Sequence, residues 1–569
     1  MATTRAVRIV TEVGAVDRPF DYLVTPATAM VAVGDRVRVD FNHRSVRGWV
    51  VAEVDPDQAV KPLGRWLGYG PPPELLDLLA WAGQRWYAPW SRLLLAASPP
   101  TRVTELPTAP AKAVLDRGVA ASAIDAAPGV VIVAPTFDPL PLVLGAYERC
   151  REREGTLLVL VPTDAWARRL RGRLEQRGCA VASGEHEWDR ARAGWPVVVG
   201  ARGAALAPAP RLAGAVVVDA DDDALRSSAA PTWDAATLLR ERCRRDGAPL
   251  WLTSMMPSPT LLDRGPFHSV GDVAAGWPRV EVVDRRHGDP HDGALAASAR
   301  DAAHRALAGV EDVAVVVVLQ RLGAGRLLAC RRCGELARCE VCFQAEREVD
   351  GRLACDEAHV PRALFCRSCG ATNLRRVGPG VTTLARDVAA QLGQPVSEVT
   401  AATRADAPLE RVVVGTEAVF TRVRRCGLVV IADLDQYLLA PRAAARRAAV
   451  VAVGKAGRLV GGRRDGRGVV IIQTRRGEDP VVAALRSGDV TTLVEDDNAA
   501  ARLLELPPYA ALADVSGEGA AAFVAQIGDP VLVSVADDRY TLRARDGDAL
   551  REALAEVERP AGRVRVHVW

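Results

Sequence analysis

Residues 330–369 read CRRCGELARCEVCFQAEREVDGRLACDEAHVPRALFCRSC and hold seven of the eleven cysteines in this 569-residue chain. A C-x-x-C loop brings two thiolates to one ion from a single turn, and two such loops supply the four tetrahedral ligands that structural zinc requires. The candidate ligands are Cys330, Cys333, Cys339, Cys342, Cys355, His359, Cys366 and Cys369. Their number and spacing predict two zinc ions.

Disulfides and buried free thiols are the alternatives to metal binding. The first ten residues, MATTRAVRIV, carry two arginines and lack the apolar stretch of a signal peptide. We therefore expect a cytoplasmic protein, in which disulfides are rare. Cys150, Cys179, Cys243 and Cys426 each stand alone in apolar or helical sequence, which indicates packing residues.

The composition limits the classes of function. A net charge of +3 provides no global basic field for nucleic acid, so any such site must be local. No apolar run reaches the roughly 18 residues of a membrane-spanning helix, so no membrane partner is expected. The only lysines are Lys61, Lys112 and Lys455, which leaves few candidates for lysine-dependent chemistry.

Short alternating segments near the start of the chain predict a small β-rich domain. Strands are expected at 6–10, 20–23, 35–39 and 48–51, followed by a helix at 74–87 with Leu75, Leu78, Leu79 and Trp86 on one face. Its strands are expected to expose Arg36, Arg38, His43, Arg44 and Arg47 near the aromatic residues Phe20, Tyr22 and Phe41. This combination suits single-stranded nucleic acid, but a solvated strand face over core aromatic rings is the simpler interpretation.

Apolar strand segments alternate with helical segments from residue 130 onward. Continuous Val/Leu runs of this kind predict parallel sheets with helices on both faces. The first set lies at 130–133, 157–161, 197–200, 215–219 and 250–253, and the second at 313–319, 412–415, 428–433 and 468–472. We therefore expect two parallel-sheet lobes in tandem, the second interrupted by the cysteine stretch after its first strand.

Several short motifs carry a resemblance to a known family. They are Phe20-Asp-Tyr-Leu23, Gly34-Asp-Arg-Val-Arg-Val39, Val199-Gly-Ala-Arg-Gly-Ala204, Val413-Val-Gly-Thr-Glu417, Gly454-Lys-Ala-Gly-Arg458 and Leu506-Pro-Pro-Tyr509. With these motifs the chain resembles the PriA family of bacterial replication-restart proteins, superfamily 2 helicases that carry two zinc ions. The likeness runs nearly end to end, and the cysteine layout is its most specific part.

The resemblance implies a multidomain α/β fold with two tandem RecA-like parallel-sheet lobes. We expect a β-rich 3′ DNA-end-binding domain at 1–105, a linker at 106–129, the first lobe at 130–270, the second lobe at 271–502 with a zinc-binding insertion at 328–372, and a small α+β C-terminal domain at 503–569. The family has a winged-helix domain where this chain has only the linker, which is too short to hold one.

The resemblance also implies roles for individual residues. Phe20, Asp21 and Tyr22 would form a pocket for a 3′ DNA end, with Arg36 and Arg44 on phosphates. Asp21 would accept a hydrogen bond from a terminal base or hydroxyl group.

The implied zinc sites are nested in the sequence. Cys330, Cys333, Cys366 and Cys369 would hold one ion, and Cys339, Cys342 and Cys355 would belong to the other. The family's eighth ligand falls at Ala358, which cannot coordinate metal. His359 is the expected replacement, and the alternative is a surface histidine beside a site without a fourth protein ligand.

The segment that would bind ATP departs from the family pattern. Hydrolysis needs a Gly-rich loop, a lysine for the phosphates and a Ser or Thr on magnesium. Here Val133-Ala-Pro-Thr-Phe-Asp-Pro139 follows the first strand of the first lobe, without glycine or lysine. Where the family has Asp-Glu-Glu-His, this chain has Asp219-Ala-Asp-Asp222, and Lys455 stands where an arginine finger is expected. Asp219 and Arg458 are therefore expected to be vestiges of a nucleotide site.

These inferences predict a catalytically inactive, PriA-like protein. It would bind forked or 3′-ended DNA at stalled replication forks and help assemble the primosome, with primosome and single-strand-binding proteins as partners. The alternatives are an active ATP-dependent 3′–5′ DNA helicase and a zinc-ribbon scaffold that binds proteins but not DNA.

Overall fold

The computed structural model describes most of the chain. The described residues are 5–13, 18–59, 61–227, 232–286, 293–320, 327–340, 345–355, 360–377, 380–404, 406–440, 443–466, 468–529, 531–536, 539–558 and 562–569. They divide into two compact units, one formed by 1–131, 138–268 and 498–569 and the other by 132–137 and 269–497.

The N-terminal part is a six-stranded sheet followed by two helices. The strands are β1 (Ala6–Thr11), β2 (Phe20–Leu23), β3 (Arg36–Phe41), β4 (Arg44–Val54), β5 (Lys61–Pro62) and β6 (Arg65–Gly68), and the helices are α1 (Pro73–Arg85) and α2 (Trp90–Ala96). The sheet order is β5-β2-β1-β4-β3-β6. Only the β2–β5 pair is parallel among the described pairs of this sheet.

Side-chain alternation on β3 separates an apolar core from an open face. Val37 and Val39 are buried with Val7, Ile9 and Val50, whereas the intervening Arg38 and Asp40 are exposed. This period of two is the pattern that a half-buried strand requires.

The next part of the same unit is a seven-stranded sheet, the first lobe. A short helix, α3 (Arg117–Ala120), precedes it. Its elements are β7 (Gly129–Ile132), α4 (Pro139–Cys150), β8 (Thr156–Leu160), α5 (Asp164–Glu175), β9 (Val181–Ser183), α6 (Trp188–Arg192), β10 (Val197–Gly200), β11 (Leu212–Val217), α7 (Ala235–Asp246), β12 (Leu250–Ser254), α8 (Pro259–Leu262) and β13 (Phe267–Ser269). The order is β13-β7-β12-β11-β8-β10-β9, with parallel pairing of β11 to β8 and β12 and of β10 to β8 and β9.

The second unit is built on a six-stranded parallel sheet, the second lobe. Its elements are α9 (Val273–Gly276), β14 (Arg279–Asp284), α10 (Ala297–Leu307), β15 (Val315–Val318), then after the insertion α11 (Val381–Leu392), β21 (Val396–Val399), β22 (Val412–Gly415), α12 (Val419–Arg422), β23 (Leu428–Ile431), α13 (Asp435–Leu438), α14 (Ala445–Val460), β24 (Val469–Thr474), α15 (Pro480–Ser487) and α16 (Thr491–Leu503). The order β14-β24-β23-β15-β22-β21 is parallel at every pair. Its central strands are fully buried, which explains their continuous valine runs.

The insertion follows β15 and contains two small antiparallel sheets. One pairs β16 (Leu327–Cys330) with β20 (Leu374–Val377), and the other joins β17 (Arg347–Val349), β18 (Arg352–Ala354) and β19 (Arg362–Ala363). Leu328, Ala337 and Leu353 form their shared apolar core. Such a core is small, so other bonds must hold the insertion together.

The C-terminal part of the first unit is an antiparallel sheet with two helices. Its elements are β25 (Ala511–Ser516), α17 (Ala520–Val524), β26 (Leu532–Ala536), β27 (Arg539–Ala544), α18 (Gly547–Ala555) and β28 (Arg565–Val568), in the strand order β26-β27-β25-β28. Within the described residues we find no helix of the length and apolarity that a membrane crossing demands. The predicted fold class, two parallel-sheet lobes with a β-rich N-terminal part and an inserted cysteine cluster, is confirmed.

A buried arginine fixes the loop after β10. The Arg242 side chain, from α7, is 5% exposed and donates hydrogen bonds to the carbonyl oxygens of Ala205 (3.3 Å), Ala207 (2.9 Å) and Ala209 (2.6 Å). Burial lowers its pKa to about 10, so it stays charged at neutral pH. One side chain therefore satisfies three carbonyls of an irregular segment that has no strand partner for them.

Replacing Arg242 by Gln is expected to destabilise the first lobe by about 3 kcal/mol, because buried carbonyls lose their donors. Arg244→Gln on the same helix is the matched control, since the Arg244 side chain is 70% exposed. We expect that control to change stability by less than about 0.5 kcal/mol. Urea unfolding followed by circular dichroism measures the stability of both variants. Equal midpoints would show that the three hydrogen bonds of Arg242 do not stabilise the first lobe.

Candidate functional site

Four cysteines of the insertion converge on one point. The sulfur atoms of Cys330, Cys333, Cys366 and Cys369 all lie within 4.8 Å of one another. The Sγ–Sγ distance is 3.5 Å for Cys330 to Cys369 and also for Cys333 to Cys366. Sulfur ligands about 2.3 Å from a tetrahedral zinc lie about 3.8 Å apart, so this group can hold a metal ion.

The two C-x-x-C turns have the same backbone construction. In the first, the Gly334 N–H donates to the Cys330 carbonyl (3.0 Å), and in the second the Gly370 N–H donates to the Cys366 carbonyl (2.8 Å). Gly334 and Gly370 have φ of +74° and +72°, the left-handed region that glycine tolerates best. The glycine after each cysteine pair thus closes the turn that presents both sulfurs to one side.

Backbone donors in the first turn favour a thiolate. The Arg332 N–H lies 3.3 Å from the Cys330 sulfur. Burial opposes ionisation, but hydrogen bonds from the backbone N–H groups of Cys333 and Arg332 lower the pKa of Cys330 to about 7. A pKa near neutral for Cys330 suits a site that binds metal through thiolates.

The second predicted metal site is described only in part. Cys339 and Cys355 are both buried, whereas Cys342 and His359 lie outside the described residues. Beside this site Arg362 forms a bidentate ion pair with Glu346, whose side chain is 5% exposed. This buried pair joins β19 to the segment before β17, so it holds the inner part of the insertion.

The three residues predicted to bind a 3′ DNA end occupy different environments on β2. The Asp21 carboxylate accepts two hydrogen bonds from Arg8, from Nε at 2.8 Å and from Nη2 at 3.0 Å. Tyr22 is 2% exposed and its hydroxyl donates to the Asp40 carbonyl at 3.0 Å. Phe20 packs edge-on against Phe41 with ring centroids 5.0 Å apart.

Only one of the two arginines predicted to contact phosphates has a free path to solvent. Arg36 donates from Nη1 to the carbonyl oxygens of Pro99 (2.9 Å) and Thr101 (3.4 Å), and burial lowers its pKa. Arg44 is exposed at the tip of the β3–β4 hairpin, opposite Phe41 in the strand register. The structure therefore gives Arg36 a structural contact and leaves Arg44 accessible.

The start of α4, where a phosphate-binding loop would end, has few backbone donors. Pro139 and Pro141 have no N–H, and the Leu140 N–H donates to the Asp138 carboxylate at 3.1 Å. Arg173 holds that carboxylate through two hydrogen bonds of 2.8 and 2.6 Å. Although burial opposes it, Arg173 lowers the pKa of Asp138, so a negative charge stays where a phosphate would sit.

The residues predicted to be vestiges of a nucleotide site are engaged within the fold. Arg458, from α14, donates from Nε to the Pro135 carbonyl at 2.9 Å. Asp219 is buried, with φ of +51°. Asp221 accepts hydrogen bonds from the Ser254 hydroxyl and from both the N–H and the hydroxyl of Ser258, so its carboxylate serves as a link between two loops.

Acidic residues also gather at the carboxyl end of the second sheet. Asp433 follows β23 and Asp435 begins α13, and both are buried. Asp435 accepts hydrogen bonds from the Thr474 hydroxyl (2.5 Å) and the Arg475 N–H (2.9 Å). Burial, with a smaller effect of the neighbouring Asp435, raises the pKa of Asp433 to about 7.

The sequence did not predict the arginines that form ion pairs with three carboxylates in these sites. Arg8, Arg173 and Arg362 each pair with a carboxylate that is far away in the chain. Only the cross-strand position of Arg8 opposite Asp21 follows from strand alternation, once the register is known. The other two pairs depend on loop geometry that has no periodic signal.

The fold and the cysteine cluster define a protein with two parallel-sheet lobes and an insertion whose four cysteines could hold a metal ion. Residues 8–99 match the model of the PriA 3′ DNA-binding domain. Replication restart protein PriA of Treponema pallidum (strain Nichols) is 28% identical over 353 residues, which cover 56% of this chain and 51% of that protein. The chain therefore spans about half the length of this curated relative. Over these parts of its length the chain is similar to PriA replication-restart proteins.

Solved structures of S. cerevisiae Dbp5 show a distant likeness. A variant bound to Nup159, a Gle1 variant, IP6 and ADP is 12% identical, with 77% of this chain and 100% of that chain covered and a TM-score of 0.33. Dbp5 bound to RNA and ADP BeF3 is 11% identical, with 75% and 92% covered and a TM-score of 0.33.

The raised pKa of Asp433 predicts a pH dependence of stability. The folded-state pKa of about 7 exceeds the unfolded value of about 3.9, so the folded chain binds the proton more tightly. Protonated Asp433 therefore contributes to the free energy of unfolding at low pH, and this contribution is lost as the pH rises toward about 7.

Asp433→Asn should remove that dependence. The advantage of the wild type over the variant in urea midpoint is expected to shrink as the pH rises from 5 and to level off by pH 8, because the pKa of Asp433 is about 7. Asp301→Asn, at an exposed position on α10, is the control and should follow the wild type. A constant difference between wild type and Asp433→Asn across this range would show that Asp433 does not titrate as described.

Proposed function

We propose that this protein binds 3′-ended or forked DNA at stalled replication forks and helps to assemble the primosome, without ATP hydrolysis or helicase activity. The match of residues 8–99 to the PriA 3′ DNA-binding domain carries the proposal. The similarity to replication restart protein PriA supports replication restart as the process. Primosome and single-strand-binding proteins are the proposed protein partners, and the cytoplasm is the proposed location.

The proposed division of labour follows the predicted domains. The N-terminal domain at 1–105 would bind the 3′ end, the lobes at 130–270 and 271–502 would act as a scaffold, and the insertion at 328–372 and the C-terminal domain at 503–569 would present surfaces to partners. The linker at 106–129 leaves no room for a winged helix.

Loss of ATP hydrolysis is supported by the local chemistry. A triphosphate at the start of α4 would meet the Asp138 carboxylate and a first turn with two prolines. Phosphoryl transfer also needs positioned lysine and arginine side chains, whereas the chain has Lys455 at the finger position and uses Arg458 on the Pro135 carbonyl.

Zinc is the proposed metal, with two ions per chain. Four thiolates at tetrahedral spacing favour zinc over magnesium or calcium, which prefer oxygen ligands. The second ion would use Cys339, Cys342, Cys355 and His359. Its role would be structural, because the insertion has only a small apolar core.

Metal analysis of the purified protein should find about two zinc ions per chain, as expected for two four-ligand sites. Cys366→Ser should lose one ion because a tetrahedral site loses a ligand, and His359→Ala should lose the other. Cys426→Ala, at an isolated buried thiol, is the control and should keep both. An unchanged count in His359→Ala would remove His359 from the ligand set.

The function itself is tested by fluorescence anisotropy with oligonucleotides that differ only at the 3′ end. We expect tighter binding to a free 3′-hydroxyl than to a 3′-phosphate, because the phosphate would meet the acidic Asp21. Asp21→Asn should reduce this preference by about tenfold, the value of one hydrogen bond to a charged group.

Glu53→Gln is the matched control, because Glu53 is also paired with an arginine, Arg5, on the same sheet. It should retain the preference of the wild type. Equal affinity of the wild type for both ends would refute 3′-end recognition.

A further inference from the structure

The open face of the N-terminal sheet carries a row of three arginines on adjacent strands. Arg38 of β3 lies opposite Arg47 of β4 and opposite Arg65 of β6 in the strand register. Neighbouring strands lie about 4.8 Å apart, and like charges directly opposite each other destabilise a sheet. Such a row is therefore unfavourable unless anions offset it.

One of the three charges is already offset. Arg47 donates to the Glu12 carboxylate from Nε at 2.5 Å and from Nη2 at 2.8 Å. Arg38 and Arg65 are exposed, and neither forms an ion pair or a side-chain hydrogen bond with any other residue in the described part of the chain. Two neighbouring guanidinium groups thus remain available to a ligand.

These two side chains line an open groove of about 800 Å³. Its other lining residues are Val39, Asp40, His43, Ser45 and Gly64. Gly64 lets β6 approach β3, since a Cβ atom there would lie 2.5 Å from the Arg38 carbonyl oxygen. The close approach places Arg65 beside Arg38.

The two ends of the groove differ in their side chains. Arg36, the preceding outward residue on β3, is covered by its contacts with Pro99 and Thr101. Beyond Arg38 the same face continues to Asp40 and His43. The groove therefore has a cationic end at Arg38 and Arg65 and an acidic end at Asp40.

We propose that Arg38 and Arg65 bind successive phosphates of a single DNA strand that crosses this face, an inference that rests on the proposed function. Guanidinium groups match phosphate oxygens in a bidentate manner. A groove open to solvent along its length suits a polymer better than a small molecule, which is usually enclosed. The carboxylate of Asp40 limits the phosphate contacts to the arginine end.

The test is the salt dependence of binding to a 5′-labelled single-stranded oligonucleotide with a free 3′-hydroxyl. Each phosphate contact on a single strand contributes about 0.7 to the slope of log affinity against log salt concentration. The double variant Arg38→Gln/Arg65→Gln should therefore lower the slope by about 1.4 and weaken binding at low salt about 100-fold. Arg169→Gln, at an exposed position on α5, is the control and should change neither quantity.

Thermal unfolding shows whether weaker binding by the double variant reflects the loss of DNA contacts or the loss of protein stability. Because the arginines repel each other, the double variant should melt at the same temperature as the wild type or higher. A lower melting temperature together with weaker binding would overturn the proposal, and so would an unchanged affinity and slope.

The outcomes also distinguish this inference from the function on which it rests. If the wild type binds the 3′-ended strand and the double variant binds equally well, the arginine row is refuted and the proposed function stands. If the wild type does not bind the strand, both are refuted.

Discussion

A phosphate group at the start of a helix is held by free backbone N–H groups, and the first turn of α4 has almost none to offer. Two prolines remove donors, and the Asp138 carboxylate takes the N–H of Leu140. Arg173 in turn holds Asp138 in its charged form. The parallel sheet that would present a nucleotide is intact, but the point at which it would meet the phosphates carries a negative charge. This constraint supports the proposal that the protein binds DNA without hydrolysing ATP.

The insertion is organised by a different constraint, the presentation of four sulfurs to one point. Each C-x-x-C turn ends in a glycine with a positive φ, and each closes with the same N–H to carbonyl bond. The geometry follows from the local sequence and needs no nucleotide. The arrangement of the four sulfurs is therefore independent of any nucleotide site.

The sequence predicted the central strands of both lobes well and missed the edges. The strands β9, β13, β14 and β21 were not predicted, and they are the terminal strands of the two sheets. Edge strands have one neighbour and are less buried, as β14 and β21 show, so they lack the continuous apolar run that identifies a central strand. The cysteine cluster was predictable because ligand spacing is local in sequence.

The face of the N-terminal sheet that we propose to bind DNA was harder to predict. Alternation on β3 distinguishes Val37 from Arg38, but it cannot distinguish Arg36 from Arg38, since both point outward. The difference arises because residues 99–101 cover Arg36 and leave Arg38 open, a contact made by chain more than sixty residues away. Long-range coverage of this kind decides which cations are accessible, and it leaves no pattern in the strand itself.

The most direct test of this account is phosphate release from Mg·ATP by the purified protein in the presence of forked DNA that it binds. We expect the protein to bind the fork and phosphate release not to exceed that of a protein-free sample. DNA-stimulated phosphate release that Asp219→Ala abolishes would contradict this expectation, because the remnants of the nucleotide site would then form a working motor.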